Sequence, residues 1–135
     1  MNKKMNIVIV GLGNIGSYFY NYLRKNKDVI FNKTNTIPNI LFVSAKSFSK
    51  KRKFHLSKKI WLKNYLAATK MKNVDIIVEL IGGAEGPAKK LVFDALKNKK
   101  HVITANKALV SKYGDQLSKI AEKNKVNFEF EAAVC

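Results

Sequence analysis

The sequence feature that most constrains the fold is a run of aliphatic residues that breaks into three glycines, IVIVGLGNIGSYF at positions 7–19. The stretch before the glycines, residues 5–10, is a continuous β-rich run, as expected for a central parallel strand that is covered on both faces. After the glycines, apolar residues recur with helical spacing, which predicts a helix over residues 14–25. This region therefore predicts a strand, a tight glycine turn and a helix.

The rest of the chain continues to alternate between strand-like and helix-like segments. Further strands are predicted at 40–45, 74–83, 101–105 and 126–134, and a turn cluster containing Pro38 at 35–39. Helices are predicted at 60–71, from Pro87 onward, and around Leu117 to Ala121. This alternation predicts one α/β domain over residues 1–135, with right-handed crossovers and a doubly wound parallel sheet that ends after about the fifth strand.

The three glycines match the pattern G-x-G-x-x-G, in the strand-to-helix context that the dinucleotide-binding fingerprint requires. Gly11 would allow the tight turn, Gly13 would let backbone amides approach a pyrophosphate, and Gly16 would let the helix pack closely on the strand. The predicted cofactor-binding residues of this fingerprint in a Rossmann-type domain are Gly11, Gly13 and Gly16. The alternative is a turn in which the glycines serve the backbone alone.

The identity of the dinucleotide is usually decided at the end of the second strand, where an acidic residue selects NAD and a basic residue admits the phosphate of NADP. No Asp or Glu lies between Val29 and Met71. Ser47 takes roughly the acidic position, with Lys46 beside it and more basic residues at 50–52. We therefore predict that Lys46 and Ser47 bind the cofactor and that NADP is preferred, with NAD as the alternative if the lysines belong only to a general basic excess.

The chain carries a formal net charge of +17, which raises the question of a nucleic-acid partner. Nearly all of this charge is lysine, Arg24 and Arg52 being the two arginines, although arginine is preferred for bidentate contacts to bases and phosphates. No aromatic RNA-binding signature, helix-turn-helix pattern or zinc-finger spacing is present. These observations favour a solvated basic surface over a nucleic-acid interface.

Several other classes are disfavoured by the sequence. No apolar stretch approaches the ~20 residues that span a bilayer, and the N-terminus lacks a signal-peptide cleavage pattern. Cys135 is the one cysteine, so an intramolecular disulfide and a cysteine zinc site are excluded and a cytoplasmic setting is expected. His55 and His101 lack the spacing of metal ligands.

Four blocks of the sequence together resemble homoserine dehydrogenase. They are GLGNIG at 11–16, VELIGG at 78–83, KHVITANKAL at 100–109 and FEAAV at 130–134. The resemblance implies an oxidoreductase of amino-acid biosynthesis in the aspartate pathway. Such an enzyme interconverts aspartate 4-semialdehyde and homoserine by hydride transfer with a nicotinamide cofactor.

The same resemblance implies roles for particular residues. The residues around Ile15, which include Leu12 and Asn14, would contact the pyrophosphate. Gly82 and Gly83 would pass close to the cofactor, while Thr104, Asn106 and Lys107 would line its nicotinamide and substrate side. Lys107 is the candidate catalytic residue, because an ammonium group near a carbonyl stabilises the charge that develops during hydride transfer. The alternative for Lys107 is one surface lysine among many. Glu131 and the carbonyl of Val134 resemble the first part of a monovalent-cation site.

Members of this family continue after the FEAAV block into a second domain with substrate-binding and proton-transfer residues. Because orientation and acid–base catalysis each contribute several kcal/mol, we expect no appreciable turnover by this polypeptide alone. A separate chain that supplies the catalytic domain is a candidate partner. The alternative is a non-catalytic module that binds a dinucleotide or another protein.

Overall fold

The computed structural model describes residues 3–130, which form a five-stranded parallel sheet with spatial order β2-β1-β3-β4-β5. The strands are β1 (Lys3–Val10), β2 (Thr36–Ser44), β3 (Ile76–Glu79), β4 (His101–Thr104) and β5 (Phe128–Glu129). The α-helices are α1 (Asn14–Lys25), α2 (Lys27–Thr34), α3 (Pro87–Lys97) and α4 (Lys107–Lys123). Two short 3-10 helices, Lys58–Ile60 and Tyr65–Lys70, lie in the connection between β2 and β3.

The central strand β1 has its two faces in two separate hydrophobic clusters. Ile7 and Ile9 pack with α1 and β2, whereas Val8 and Val10 pack with α3 and α4. Because successive side chains of a strand point to opposite faces, a segment covered on both sides is apolar at every position, as residues 7–10 are. Helices on both faces of a parallel sheet confirm the predicted doubly wound α/β fold.

The chain reverses direction across the sheet at β1, which pairs with β2 on one side and with β3 on the other. Val10 lies opposite both Ser44 and Glu79, and Glu79 lies opposite Thr104. The carboxyl ends of four strands therefore meet at one edge of the sheet. In open parallel sheets, ligands bind in the crevice at such a reversal point.

The predicted turn cluster at 35–39 is wrong, because most of it belongs to β2. Pro38 is a strand residue paired with Met5, and it is tolerated because β2 is an edge strand, where a proline need not donate to a second neighbour. The sequence reading also missed α2, in which no residue is fully buried, so that no apolar stripe marks it. Asn35 ends that helix in the left-handed conformation, at φ 58°.

Three other predicted elements differ in extent. The helix predicted at 60–71 is a 3-10 helix over its second half, while Trp61 forms an isolated bridge with Val43. The strand predicted at 74–83 ends at Glu79, and its paired glycines lie in the following loop. The strand predicted at 126–134 is seen at Phe128–Glu129, and its last four positions lie outside the described residues.

The start of α1 is packed directly on the glycine turn that precedes it. A Cβ built at Gly16 would lie 1.9 Å from the carbonyl oxygen of Gly11, which is backbone and cannot rotate away. The helix can therefore begin at Asn14 and remain against the end of β1 only if position 16 has no side chain.

We expect the substitution Gly16→Ala to destabilise the fold by about 1–3 kcal/mol, since the clash exceeds the gain of about 0.5–1 kcal/mol that alanine brings to a helix. Gly114→Ala in α4 is the matched control, because it adds the same methyl group to a helix without a clash against backbone. Its Cβ would meet only a side-chain methyl of Val110, at 3.3 Å. Urea unfolding measures both. An unchanged midpoint for Gly16→Ala would show that α1 can move off the turn without cost.

Candidate functional site

The glycine turn between β1 and α1 contains three glycines that are required for different reasons. Gly11 has φ +107°, and a Cβ there would lie 2.5 Å from the carbonyl oxygen of Leu80. Gly16 faces Gly11, as described above. A Cβ at Gly13, in contrast, would have no atom within 4 Å. Packing of the protein therefore explains Gly11 and Gly16, whereas Gly13 borders open space.

Gly13 is also the N-cap residue of α1, and no side chain caps this helix end. The backbone N–H groups of a helix's first turn have no partner inside the helix, and they carry the positive end of the helix dipole. Asn14 and Ile15 are exposed at this end, and Ile15 is 62% exposed. The arrangement can accept an anion at the mouth of the turn.

A cavity of about 640 Å³ opens in front of this turn. Its walls come from the glycine turn, the end of β2 with the segment that follows it, and the start of the loop after β3. The lining residues are Val10, Gly11, Leu12, Gly13, Ser44, Ala45, Lys46, Ser47, Lys50, Arg52, Lys63, Tyr65, Leu80, Ile81 and Pro87. The cavity thus lies at the carboxyl edge of the sheet, where the chain reverses.

The charge around this cavity has one sign. Four of its lining residues are basic and none is acidic, and among residues 3–130 these four side chains form no salt bridge. They are Lys46, Lys50, Arg52 and Lys63. Lys46 and Lys50 are exposed. Their positive charge is uncompensated by carboxylates at the rim, so the cavity attracts anions.

Arg52 shapes the segment that forms this rim. Its guanidinium donates to the carbonyl oxygens of Ser47 at 2.8 Å, Phe48 at 3.1 Å and Lys50 at 3.2 Å. The group also lies over the ring of Trp61, 6.0 Å from its centre. Because most of its donors are used in this way, Arg52 holds the loop after β2 in place, and Lys46 and Lys50 present their ammonium groups to solvent.

A second cluster of predicted residues lies at the ends of β3 and β4. The Thr104 hydroxyl donates to Glu79 at 2.5 Å and accepts from the backbone N–H of Asn106 at 3.0 Å. The Asn106 side chain donates to the Gly83 carbonyl at 2.7 Å and caps α4 by accepting from Leu109 N–H at 3.0 Å. Gly83, Thr104 and Asn106 are therefore held together.

Sequence reasoning missed Glu79, which is fully buried beneath this cluster. The signal was available as a lone acidic residue at the end of the apolar strand IIVE. It also missed Lys63 and Tyr65 as lining residues, since they fall in the segment predicted as a helix.

Other predicted site residues fall at the margin of the cavity or outside the description. Lys107 is exposed at the start of α4 and does not line the cavity. Gly82, at φ +93°, borders open space and follows the lining residue Ile81. Glu131 and Val134 lie outside the described residues. Within 3–130, no group of three His, Cys, Asp or Glu side chains is arranged to hold a metal ion.

Comparison with known sequences identifies the family. The sequence profile of the family described as homoserine dehydrogenase, NAD binding domain, matches residues 11–131. The chain belongs to the homoserine dehydrogenase family. It is 33% identical to the homoserine dehydrogenase of Bacillus subtilis (strain 168), covering 98% of this chain and 30% of that protein. The corresponding enzyme of Neisseria gonorrhoeae is 37% identical over the same shares of the two chains.

Solved structures of homoserine dehydrogenases have the same fold. A crystal structure of the S. aureus enzyme at pH 8.5 superposes with a TM-score of 0.90 at 36% identity, covering 99% of this chain and 33% of that one. The enzyme of Thiobacillus denitrificans gives a TM-score of 0.85 at 32% identity, covering 97% and 30%. The chain therefore corresponds to the NAD-binding domain of homoserine dehydrogenase, and it spans about 30% of the length of the curated relatives it matches. None of the helices within 3–130 is long and apolar enough to cross a membrane.

An exposed ionic cluster fixes the far end of the β3–α3 loop (residues 80–86) in this homoserine dehydrogenase domain. Glu85 accepts a hydrogen bond from the Tyr113 hydroxyl at 2.8 Å and pairs with Lys112 at 3.1 Å and Lys89 at 3.3 Å. The Tyr113 hydroxyl, followed by the ammonium groups of Lys112 and Lys89, lowers the pKa of Glu85 from 4.5 to about 2. The cluster joins this loop to α3 and α4.

Because the pKa of Glu85 is depressed in the folded protein, its carboxylate stabilises the fold above about pH 4.5, and this contribution is lost as the pH falls toward 2. We therefore expect Glu85→Gln to lower Tm by a few degrees or less at pH 7 and to have a shrinking effect between pH 4.5 and 2. Tyr113→Phe should follow the same pattern, and Asp94→Asn, which removes a single ion pair with Lys90, is the control. A difference that stayed constant down to pH 2 would contradict the assignment.

Proposed function

We propose that this chain binds NADP(H) and supplies the cofactor-binding domain of an enzyme that interconverts aspartate 4-semialdehyde and homoserine by hydride transfer. The observation that carries the proposal is the coincidence of three features at one place. An open cavity, an uncapped helix N-terminus and a basic rim without carboxylates meet at the carboxyl edge of the sheet. Together they suit a ligand with several phosphates and an apolar ring.

The pyrophosphate is assigned to the mouth of the glycine turn. Gly13 leaves room there, and the backbone amides at the start of α1 supply hydrogen bonds and the positive end of the helix dipole. Leu12, Asn14 and Ile15 accompany Gly13 in this proposed contact. Gly11 and Gly16 act indirectly, since they hold α1 close to β1.

The preference for NADP over NAD rests on the rim after β2. An NAD enzyme places a carboxylate there to accept hydrogen bonds from the ribose hydroxyls, and a carboxylate would repel a 2′-phosphate. Here Lys46 and Ser47 line the cavity directly after β2, and Lys50 lies three residues further on. Ammonium groups at this place favour the extra phosphate. Because we assign the positive charge of this segment to cofactor binding, we do not propose a nucleic-acid partner for it.

The nicotinamide side is assigned to the ends of β3 and β4, near Gly82, Gly83, Thr104 and Asn106. When bound, the nicotinamide supplies or receives the hydride. Lys107 extends from the first turn of α4, immediately after Asn106, and we propose that its ammonium group polarises the carbonyl of the semialdehyde. Its exposure leaves it accessible to a substrate held by another domain. The monovalent-cation role of Glu131 and Val134 is a proposal that rests on the family resemblance alone.

Calorimetric titration with NADPH and NADH tests the proposed binding, followed by an aspartate-semialdehyde reduction assay on the same sample. A free cofactor concentration of 100 times Kd should also raise the apparent free energy of unfolding, measured by thermal melting, by about 2.7 kcal/mol. We propose that turnover requires the family's catalytic domain, from the same or a separate chain, in the cytoplasm. Affinity without activity after that domain is added would favour the alternative of a non-catalytic binding module.

We expect Lys46→Ala to weaken NADPH binding by about tenfold and NADH binding by less than about twofold, because one charge-assisted contact to the 2′-phosphate is lost. Lys59→Ala is the matched control, since it removes the same charge from an exposed position of the same connection that does not line the cavity. Equal losses for the two cofactors, or an equal effect of both variants, would contradict the assignment of the 2′-phosphate.

Gly13→Ser separates folding from binding at the glycine turn. Serine is a favoured N-cap residue and nothing lies within 4 Å of its Cβ, so the free energy of unfolding should stay the same or rise by a few tenths of a kcal/mol. NADPH affinity should fall by about tenfold or more, because the hydroxyl takes up amides that the pyrophosphate needs. Unchanged affinity would place the pyrophosphate elsewhere.

A further inference from the structure

Glu79 is a buried carboxylate, and the packing of the apolar core gives no reason for burying a charged group at this position. It is fully buried at the end of β3, and among residues 3–130 it is the one fully buried acidic side chain and has no salt bridge. Burying a carboxylate without a cation is unfavourable unless its oxygens receive hydrogen bonds. Its contacts therefore indicate what it is for.

The carboxylate of Glu79 joins two segments of backbone. One oxygen accepts from the backbone N–H groups of Ile81 at 2.8 Å and Gly82 at 3.0 Å, at the start of the β3–α3 loop. The other accepts from the Thr104 hydroxyl at 2.5 Å, at the end of β4. Both oxygens are therefore used: one holds the start of the β3–α3 loop and the other holds the end of β4.

Asn106 closes these contacts into a ring. Its backbone N–H donates to the Thr104 hydroxyl, and its side chain returns to the β3–α3 loop at the carbonyl of Gly83. Gly82 and Gly83 have φ values of +93° and +86°, and a Cβ at either one would have at most a distant contact, so packing of side chains does not fix them. The hydrogen-bonded ring supplies the order that these glycines otherwise lack.

The position of the ring in the sheet relates it to one half of a dinucleotide. The basic rim lies beyond β1 on the side of β2, whereas Glu79 and Thr104 end β3 and β4 on the other side. A dinucleotide with its pyrophosphate at Gly13 and its 2′-phosphate at Lys46 places its nicotinamide half over β3 and β4. This step rests on the proposed function.

We propose that Glu79 is a positioning residue that holds the β3–α3 loop and Asn106 in the arrangement that receives the nicotinamide half of the cofactor. It does so without touching the ligand, since it is fully buried beneath both segments. Preorganised backbone lowers the ordering cost of binding, so loss of the ring should weaken binding of the part of the ligand that these segments contact.

The test compares a complete cofactor with its adenosine half. In Glu79→Gln the one amide oxygen can serve either the two backbone N–H groups or the Thr104 hydroxyl, and even where the NH₂ group donates to that hydroxyl instead, weaker neutral hydrogen bonds replace the charge-assisted bonds of the carboxylate. We expect the Kd for NADPH to rise by about tenfold, while the Kd for adenosine 2′,5′-bisphosphate, which has no nicotinamide, stays within about twofold. A general loss of structure would weaken both ligands alike.

Three further variants control the experiment. Asp75→Asn makes the same carboxylate-to-amide change at the opposite end of β3, where Asp75 accepts from Asn6 N–H at 2.8 Å, and it should leave both Kd values unchanged. Thr104→Val breaks the ring at Thr104 and should have the same effect on the two Kd values as Glu79→Gln. If Glu79→Gln does not fold, Thr104→Val replaces it as the test variant. Thr104→Ser keeps the hydroxyl and should recover most of the NADPH affinity that Thr104→Val loses.

The outcomes separate this inference from the function on which it rests. If the parent chain binds neither ligand nor NADH, the proposed function fails. If it binds NADH more tightly, NADH and ADP replace the two probes. If the parent chain binds both probes and the ring variants weaken both equally, or neither, Glu79 has only a structural role and the inference is overturned.

Discussion

The close approach of three backbone segments at Gly11 is the contact on which the rest of this structure depends. The Gly11 N–H donates to Ser44 at the end of β2, and the Leu80 N–H donates to Val10 at the end of β1. Gly16 brings α1 against the same point from the other side. Because no side chain separates these segments, the ends of three strands and the start of a helix share one small region. The cavity is the space that remains in front of it.

In the described part of the chain, the basic residues at the cavity and the acidic residues at the β3–α3 loop lie on different sides of β1. Basic residues line the cavity at the end of β2 and none of its lining residues is acidic, so this single sign of charge attracts a polyanion. The acidic side chains Glu79 and Glu85 are both on the other side of β1, where they hold the β3–α3 loop. The net charge of +17 alone therefore does not indicate where a ligand binds, whereas the positions of the few carboxylates do.

The sequence predicted the parts of the fold in which the local pattern and the tertiary environment agree. β1 and α1 were predicted nearly to their bounds, because both faces of the strand are covered and the helix has one apolar stripe. α2 was missed because its contacts leave every residue partly exposed. Pro38 was misread as a turn residue because the edge position of β2 is a property of the whole sheet.

The candidate site divides in the same way. The glycine motif is contiguous, so its geometry could be read from spacing, whereas the ring through Glu79 joins residues up to 25 positions apart and has no local pattern. Lys107 was named from family resemblance, and its place outside the cavity depends on where α4 begins.

The two anchors of the β3–α3 loop differ in their contact with water. The attachment at Glu79 is shielded from dissolved ions, whereas the one at Glu85 is on the surface, where salt screens charges over about 10 Å at 0.1 M. Rising ionic strength consequently weakens the outer attachment and leaves the inner one in place. The end of the loop next to α4 therefore loosens before the end that Glu79 holds.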